Sequence, residues 1–162
     1  MLTKYIVACW AVVASCSLQA QQKVAINITD AYGKMFNTSA FYMPNKKPVV
    51  LVFWATWCGP CINELTNLND KLSTLKNDTT FHIYAISEDD SRTTKKVLPL
   101  INGKGWWFTT LLDKNQDLKR QYNFANIPYL LVIQNGEIIY KHSGYVAGYE
   151  DELLLVLNKA TQ

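Results

Sequence analysis

The feature that most constrains the fold is a pair of cysteines, Cys58 and Cys61, where a predicted strand passes into a predicted helix. Residues 49–57 form an apolar run rich in β-branched and aromatic side chains, as in a strand buried on both faces of a parallel sheet. Leucines then recur at helical spacing, and Pro60 suits the first helical turn. This leucine face comprises Leu65, Leu68, Leu72 and Leu75. The sequence therefore places a Cys-x-x-Cys pair at a helix N-terminus.

A cysteine at this position has a distinctive chemistry. Unpaired backbone N–H groups and the helix dipole stabilise a thiolate, so the pKa of a thiol there falls from about 8.5 to roughly 7 or lower. We predict that Cys58 is the exposed nucleophile and that Cys61 is the shielded thiol that resolves a mixed disulfide. The alternatives are a structural disulfide and half of a zinc site. Zinc needs about four ligands, and the mature chain offers no second cysteine pair or nearby histidine cluster.

Residues 1–20 are predicted to be a signal peptide. A short positive region precedes the apolar residues 5–14, and cleavage is expected after Ala20. The alternative is a lipoprotein signal, because residues 13–16 resemble a lipobox. In that case Cys16 becomes the lipidated first residue and holds the domain at a membrane surface.

Either form of export leaves two free thiols in the mature domain, predicted to be residues 21–162. Cys9 lies in the apolar part of the signal, and Cys16 is either removed or acylated. Only Cys58 and Cys61 then remain, in a compartment that oxidises thiols. A pair without any wider disulfide framework is expected to carry the function.

Composition and charge exclude several classes of protein. The length of 162 residues fits one domain. The net charge of +3 is spread without a basic block, which gives no support to nucleic-acid binding. No stretch of the mature chain reaches the length of a transmembrane helix. We expect a monomer that needs no metal and no cofactor.

Hydrophobic periodicity predicts an α/β fold with a central mixed sheet flanked by helices. Val24, Ile26 and Ile28 alternate with polar residues, which indicates a half-buried edge strand. Asn135-Gly136 is a strong hairpin signal. Further strands are predicted near Phe36 and at 80–87, 107–112, 129–133 and 137–142, with helices at 91–102, 116–122 and 149–160.

These features together resemble the thioredoxin superfamily. The resemblance rests on residues 53–61, on the later Ile127-Pro128 and on the Asn135-Gly136 hairpin, and it covers about residues 45–160. The chain is most similar to the exported TlpA/ResA-like thiol-disulfide oxidoreductases, which share an export signal and an N-terminal strand extension. They also share a helix-strand insertion like residues 88–112. The resemblance implies a thioredoxin fold.

The resemblance also implies a substrate surface. Base rates favour an ordinary strand-start proline at Pro128, whereas the resemblance implies a cis-proline packed against the active disulfide. The backbone of Ile127 would then pair with an extended substrate segment. Trp57, Gly59 and Pro60 are assigned to the same surface.

Thiol–disulfide exchange also needs a group that accepts and returns a proton. Ordinary thioredoxin has a buried aspartate at the position of Val52, so this chain lacks that group. Glu64 follows Cys61 by three residues on the same helical face, and TlpA/ResA-like proteins carry a glutamate there. We expect burial to raise the pKa of Glu64 toward neutrality. The alternative is a solvated helix carboxylate.

The predicted function is a periplasmic reductase that acts on protein disulfides through Cys58 and Cys61. A membrane-bound electron donor would recharge it, in cytochrome c maturation or in the rescue of over-oxidised proteins. One alternative is a thiol oxidase or disulfide isomerase of the same fold. Another is a non-enzymatic copper-binding module, which would need a third ligand, and neither His82 nor His142 is obviously placed to supply one.

Overall fold

The computed structural model describes residues 24–44, 47–75 and 80–162. The predicted signal peptide, with both of its cleavage alternatives, lies outside the described residues. Within them the chain forms one sheet of seven strands, four α-helices and three short 3₁₀ helices. No helix in this part of the chain has both the length and the hydrophobicity to span a bilayer.

The sheet is mixed, and its strand order is β2-β1-β5-β4-β3-β6-β7. The strands β3, β4 and β5 run parallel, and every other pairing is antiparallel. The prediction of a mixed sheet flanked by helices is confirmed. The elements are β1 Asn27–Asp30, β2 Met35–Asn37, β3 Val49–Trp54, α1 Gly59–Lys71, β4 His82–Ser87, α2 Val97–Lys104, β5 Thr109–Leu112, α3 Asp117–Tyr122, β6 Tyr129–Gln134, β7 Glu137–Ser143 and α4 Tyr149–Ala160.

The central strand β3 is buried along its whole length. It pairs in parallel with β4 and antiparallel with β6, and its alternate side chains enter two separate cores. One set packs with α1, α2 and α4, and the other set packs with α3. The two sets are Val50, Val52 and Trp54, and Val49, Leu51 and Phe53. A strand with both faces covered explains the continuous apolar run in the sequence.

The helix α1 begins at Gly59, directly after the N-cap residue Cys58. Its buried leucines are Leu65 and Leu68, and Leu72 caps its C-terminus. The predicted leucine face is therefore right for three residues. It is wrong for Leu75, which lies in a short 3₁₀ helix beyond the end of α1.

Two tight hairpins close the ends of the sheet. Asn135 and Gly136 join β6 to β7 with φ values of 52° and 81°, the positive values that a type I′ turn requires. Between β1 and β2, the side chain of Asp30 accepts hydrogen bonds from the backbone N–H groups of Tyr32 and Lys34. The Asn135-Gly136 hairpin is as predicted.

The prediction that the first strand is an edge strand is wrong. β1 lies between β2 and β5 and pairs with both, so β2 forms the edge. The alternation of Ile26 and Ile28 shows which side chains face the core. It cannot show whether both backbone edges find a partner, because that depends on a strand some eighty residues later.

The helix predicted at 91–102 begins later, and α2 starts at Val97. Pro99 explains this difference, because a proline is tolerated in the first helical turn but breaks the interior of a helix. The end also differs. Gly105, with a φ of 66°, terminates α2, whereas the sequence pointed to Gly103.

Aromatic residues fill the core beside the start of α1. Trp54 is fully buried and meets Trp106 edge to face, with ring centroids 5.3 Å apart, as expected for core residues. His82 lies in β4 as predicted, but its side chain is exposed.

Two leucines of α4 offer a matched test of this packing. Leu153 is fully buried, and Leu155 on the same helix is 62% exposed. We expect Leu153→Ala to lower the free energy of unfolding by about 2–5 kcal/mol, because it leaves a cavity. Leu155→Ala should change it by less than about 0.5 kcal/mol. Urea denaturation of both variants checks this, and equal effects would contradict the described packing of α4.

Candidate active site

Cys58 and Cys61 form a disulfide at the N-terminus of α1, with their Cα atoms 5.3 Å apart. Cys58 is 7% exposed and Cys61 is fully buried. The predicted order of accessibility is therefore present. The prediction that Cys58 is an exposed residue is wrong for this oxidised form, because its sulfur is tied into the bond to Cys61 and packs with the core around Trp54.

The backbone around the disulfide has the geometry of a helix cap. Cys58 has an extended conformation, and its Sγ accepts a hydrogen bond from the backbone N–H of Cys61 at 3.3 Å. Pro60 occupies the first turn of α1, where its missing N–H leaves no gap in the hydrogen bonding. When the disulfide is reduced, this N–H group and the helix dipole stabilise a thiolate at Cys58.

Asp89 anchors the loop that precedes the cysteines. Its fully buried carboxylate accepts hydrogen bonds from the backbone N–H of Thr56 at 2.8 Å and from the Thr56 hydroxyl at 2.6 Å. The Ser87 hydroxyl donates to the same carboxylate at 2.9 Å. The end of β3 is thus fastened to the end of β4.

The role of Asp89 was not predicted from the sequence. A usable signal existed, since the carboxyl ends of two adjacent parallel strands meet at one edge of the sheet. Polar residues directly after β4 should therefore lie beside the residues that follow β3.

Glu64 is fully buried on α1, so the alternative of a solvated helix carboxylate is wrong. Its Oε1 accepts a hydrogen bond from the hydroxyl of Tyr149 at 2.7 Å. Its Oε2 has no partner among the described residues. Burial raises the pKa of Glu64 to about 7, the Tyr149 hydrogen bond opposes this rise, and the negative charge of Glu150 adds to it. The expected shift toward neutrality is confirmed.

Tyr149 is the second residue that the sequence did not reveal. It is the first residue of α4 and stands 85 positions from Glu64. Burial and the neighbouring Glu64 raise the pKa of its hydroxyl, which therefore stays protonated. No local pattern connects the two residues, and only the packing of α4 against α1 brings them together.

The residues assigned to a substrate surface lie at the starts of α1 and β6. The Ile127–Pro128 peptide bond is cis, and Pro128 is buried immediately before β6. Trp57 is 62% exposed, and Gly59 and Pro60 are exposed beside the disulfide. Their roles in binding stay predictions.

A groove with a mixed lining of charged, polar and aromatic residues adjoins Trp57. It has a volume of about 350 Å³, and Trp57 forms part of its wall. The other lining residues are Glu88, Asp90, Arg92, Thr93 and Gln116. Arg92 and Asp90 pair with each other at 2.7 Å, so the groove presents charges of both signs beside Trp57.

The two histidines considered as metal ligands lie on strands. His82 is in β4, and His142 in β7 stacks on the ring of Tyr149 with centroids 4.2 Å apart. In residues 24–44, 47–75 and 80–162, no group of three or more His, Cys, Asp or Glu side chains is arranged to hold a metal ion.

Residues 19–143 match the model of the AhpC/TSA family. The match spans most of the chain and includes the disulfide, Glu64 and the cis-proline. The chain therefore belongs to the AhpC/TSA family.

Individual relatives define the fold and the site more closely. The thiol-disulfide oxidoreductase ResA of Bacillus thuringiensis is 28% identical over 113 residues, which are 69% of this chain but only 62% of that protein. A thioredoxin-like protein of Porphyromonas gingivalis superposes with a TM-score of 0.70 at 34% identity, covering 87% of this chain and 92% of its own. A DsbE-type protein of Chlorobium tepidum has a TM-score of 0.72 at 21% identity, covering 86% and 95%. The fold is a thioredoxin fold with the Cys-x-x-Cys pair of the thiol-disulfide oxidoreductases.

The raised pKa of Glu64 predicts a pH dependence of stability. In the folded protein the carboxyl group of Glu64 keeps its proton up to about pH 7, whereas in the unfolded chain it releases the proton near pH 4.5. The stabilisation is fully present below pH 4.5 and is lost as the pH rises through about 7. Relative to Glu64→Gln, which does not titrate, the free energy of unfolding of the wild type should fall by about 3 kcal/mol between these limits.

Denaturation of the two oxidised proteins across this pH range measures the difference, since disulfide-bonded cysteines do not titrate. Parallel curves for wild type and Glu64→Gln would show that Glu64 has an ordinary carboxyl pKa.

Proposed function

We propose that the protein is an exported thiol-disulfide oxidoreductase that reduces protein disulfides in the periplasm. The observation that carries this proposal is the Cys58–Cys61 disulfide at the N-terminus of α1, with the buried carboxyl group of Glu64 three residues further along the same helix. The names of relatives support it, since ResA is called a thiol-disulfide oxidoreductase. The chain spans less than two thirds of that relative, so the activity stays a proposal.

The first step is attack by the reduced protein on its substrate. The Cys58 thiolate, stabilised by the N-terminus of α1, attacks one sulfur of a substrate disulfide. A bond forms between Cys58 and that sulfur, and the substrate S–S bond breaks. The second substrate sulfur leaves as a thiolate and takes up a proton.

The second step is release of the substrate. Cys61 gives its thiol proton to the carboxylate of Glu64 and attacks the sulfur of Cys58. The Cys58–Cys61 bond forms, and the remaining substrate sulfur leaves as a thiolate. The substrate gains two electrons from the cysteine pair. It also gains two protons, one from solvent in the first step and one that Glu64 takes from Cys61 and returns to the leaving sulfur. A carboxyl group with a pKa near the working pH suits both acceptance and return of the proton.

We assign the substrate surface to Trp57, Gly59 and Pro60 at the start of α1, together with Ile127 and Pro128 before β6. We propose that an extended substrate segment pairs with the backbone of Ile127, as a strand adds to a sheet edge. The exposed ring of Trp57 supplies apolar contact area beside the disulfide.

We infer the location of the protein from its N-terminal residues and the direction of electron transfer from the Cys-Gly-Pro-Cys motif. Residues 1–20 would direct export, with cleavage after Ala20 or lipidation at Cys16. A periplasmic reductant needs electrons from a membrane-bound donor, and the partners would belong to cytochrome c maturation or to repair of over-oxidised proteins. Gly59-Pro60 is the dipeptide of reducing thioredoxins, and several relatives are named thioredoxin.

Trapping of intermediates tests the roles of the two cysteines. Cys61→Ala, expressed with its native signal, should accumulate disulfide-linked substrates, because it cannot resolve the mixed disulfide. Cys58→Ala is the matched control and should trap nothing, because it lacks the attacking thiol. Non-reducing gels followed by mass spectrometry measure both. Equal adducts in the two variants, or none in either, would contradict the assigned roles.

The reduction potential tests the direction. Equilibration of Cys58 and Cys61 with glutathione should give a value toward the −270 mV of thioredoxin, and a value above about −180 mV would indicate an oxidant or isomerase instead. The wild type should also reduce insulin with dithiothreitol, and Cys58→Ser should not. Tight Cu(I) binding without insulin reduction would favour the copper-binding alternative.

A further inference from the structure

We propose that Tyr149 is a positioning residue for proton transfer, which holds Oε1 of Glu64 so that Oε2 is the atom that accepts the proton of Cys61. This inference rests on the proposed exchange chemistry and adds a residue of α4 to it. It assigns different tasks to the two oxygens of one carboxyl group.

The contact between the two side chains is direct and buried. The Tyr149 hydroxyl lies 2.7 Å from Oε1, with Tyr149 6% exposed and Glu64 fully buried. A hydrogen bond to a carboxylate is roughly twice as strong as one between neutral groups, and burial strengthens it further. Oε2 is equally buried and has no partner in the described part of the chain. The two oxygens are therefore unequal before any proton arrives.

The groups around this contact determine what it does. Cys61 precedes Glu64 on α1, and Glu150 follows Tyr149 on α4. The carboxylate of Glu150 is already bonded to the backbone N–H of Gly148 at 2.8 Å and the hydroxyl of Tyr145 at 3.3 Å.

The third element at this contact is β7, from which His142 stacks on the ring of Tyr149. The groups that shift the pKa of Glu64 are Tyr149 and Glu150. The Tyr149 hydroxyl is the one that favours the charged form.

This arrangement sets the pH range in which Glu64 accepts a proton. Burial and Glu150 favour the protonated carboxyl, and the Tyr149 hydroxyl opposes both. The raised pKa of Tyr149 keeps its own proton in place, so it donates to Oε1 throughout. When Cys61 attacks, its proton passes to Oε2, its sulfur bonds to Cys58, and the bond from Cys58 to the substrate sulfur breaks.

The packing of α4 does not depend on this hydroxyl. The ring of Tyr149 packs in the core between His142 and Tyr145. An ion pair between Lys71 and Asp151, at 2.6 Å, joins α1 and α4. Tyr149→Phe therefore removes the donor and retains the ring.

The test is the pH profile of mixed-disulfide resolution in Tyr149→Phe. Loss of the hydrogen bond from Tyr149 to the Glu64 carboxylate should move the midpoint of the pH–rate profile upward by about one to two pH units. Rapid mixing of a preformed mixed disulfide at each pH measures the rate of the step. The rate should fall at pH 7 and recover to the wild-type plateau at high pH. A loss that is equal at every pH would indicate a structural role and would overturn the proposal, as would an unchanged midpoint.

Tyr122→Phe is the matched control. Tyr122 is also a buried tyrosine, and its hydroxyl bonds to that of Tyr42 at 2.8 Å in the core on the opposite face of the sheet. Its removal should leave the midpoint unchanged. The double variant Glu64→Gln with Tyr149→Phe should have the same profile as Glu64→Gln alone, because the tyrosine acts through the carboxyl group.

A measurement without catalysis separates this inference from the proposed function. ¹³C NMR titration of the Glu64 carboxyl in the oxidised protein reports the same upward shift in Tyr149→Phe. If that shift appears but the wild type exchanges no disulfides, the proposed function fails and the hydrogen bond to Oε1 stands. If exchange occurs and the titration of Glu64 is the same in both proteins, the assignment of Tyr149 fails.

Discussion

The structure depends on the complete burial of β3. A strand covered on both faces has little freedom to shift its register, because a slip of one residue would exchange the side chains of its two cores. Its last residue therefore has a fixed position, and the chain enters α1 from there. The parallel pairing with β4 brings Asp89 to the same edge of the sheet, where it binds Thr56. The placement of the disulfide follows from the core and not from the loop itself.

The core of α1 and α4 contains a carboxyl group, which is unfavourable for a domain of this size. A buried charge costs several kcal/mol unless it is paired, and Glu64 receives a single neutral donor. Holding the Glu64 carboxyl group in the core therefore lowers the stability of the fold, and its pKa of about 7 leaves it close to half protonated at neutral pH. A salt bridge to Glu64 would instead favour the charged form and lower its pKa.

Local patterns were sufficient for much of the fold and of the site. Apolar runs gave β3, leucine spacing gave most of α1, and Asn135-Gly136 gave the final hairpin. The cysteines and Glu64 could also be identified from the sequence, because they lie within seven residues at the start of one helix. The long-range failures share one cause. The pairing of β1 with β5, the bond from Tyr149 to Glu64 and the anchor at Asp89 each join residues that are 33 to 85 positions apart. The errors at the ends of helices are local: Pro99 delays the start of α2, Gly105 ends it, and α1 ends before Leu75.

The anchor at Asp89 has a consequence for the two redox states. The loop before Cys58 is fastened to β4 by bonds that involve neither sulfur, and the residue after it is already helical. Opening the disulfide therefore frees a side chain without freeing the backbone that carries it. A backbone held in this way ties the position of Cys58 to the sheet, so the geometry of the helix N-terminus around its sulfur does not rest on the disulfide bond.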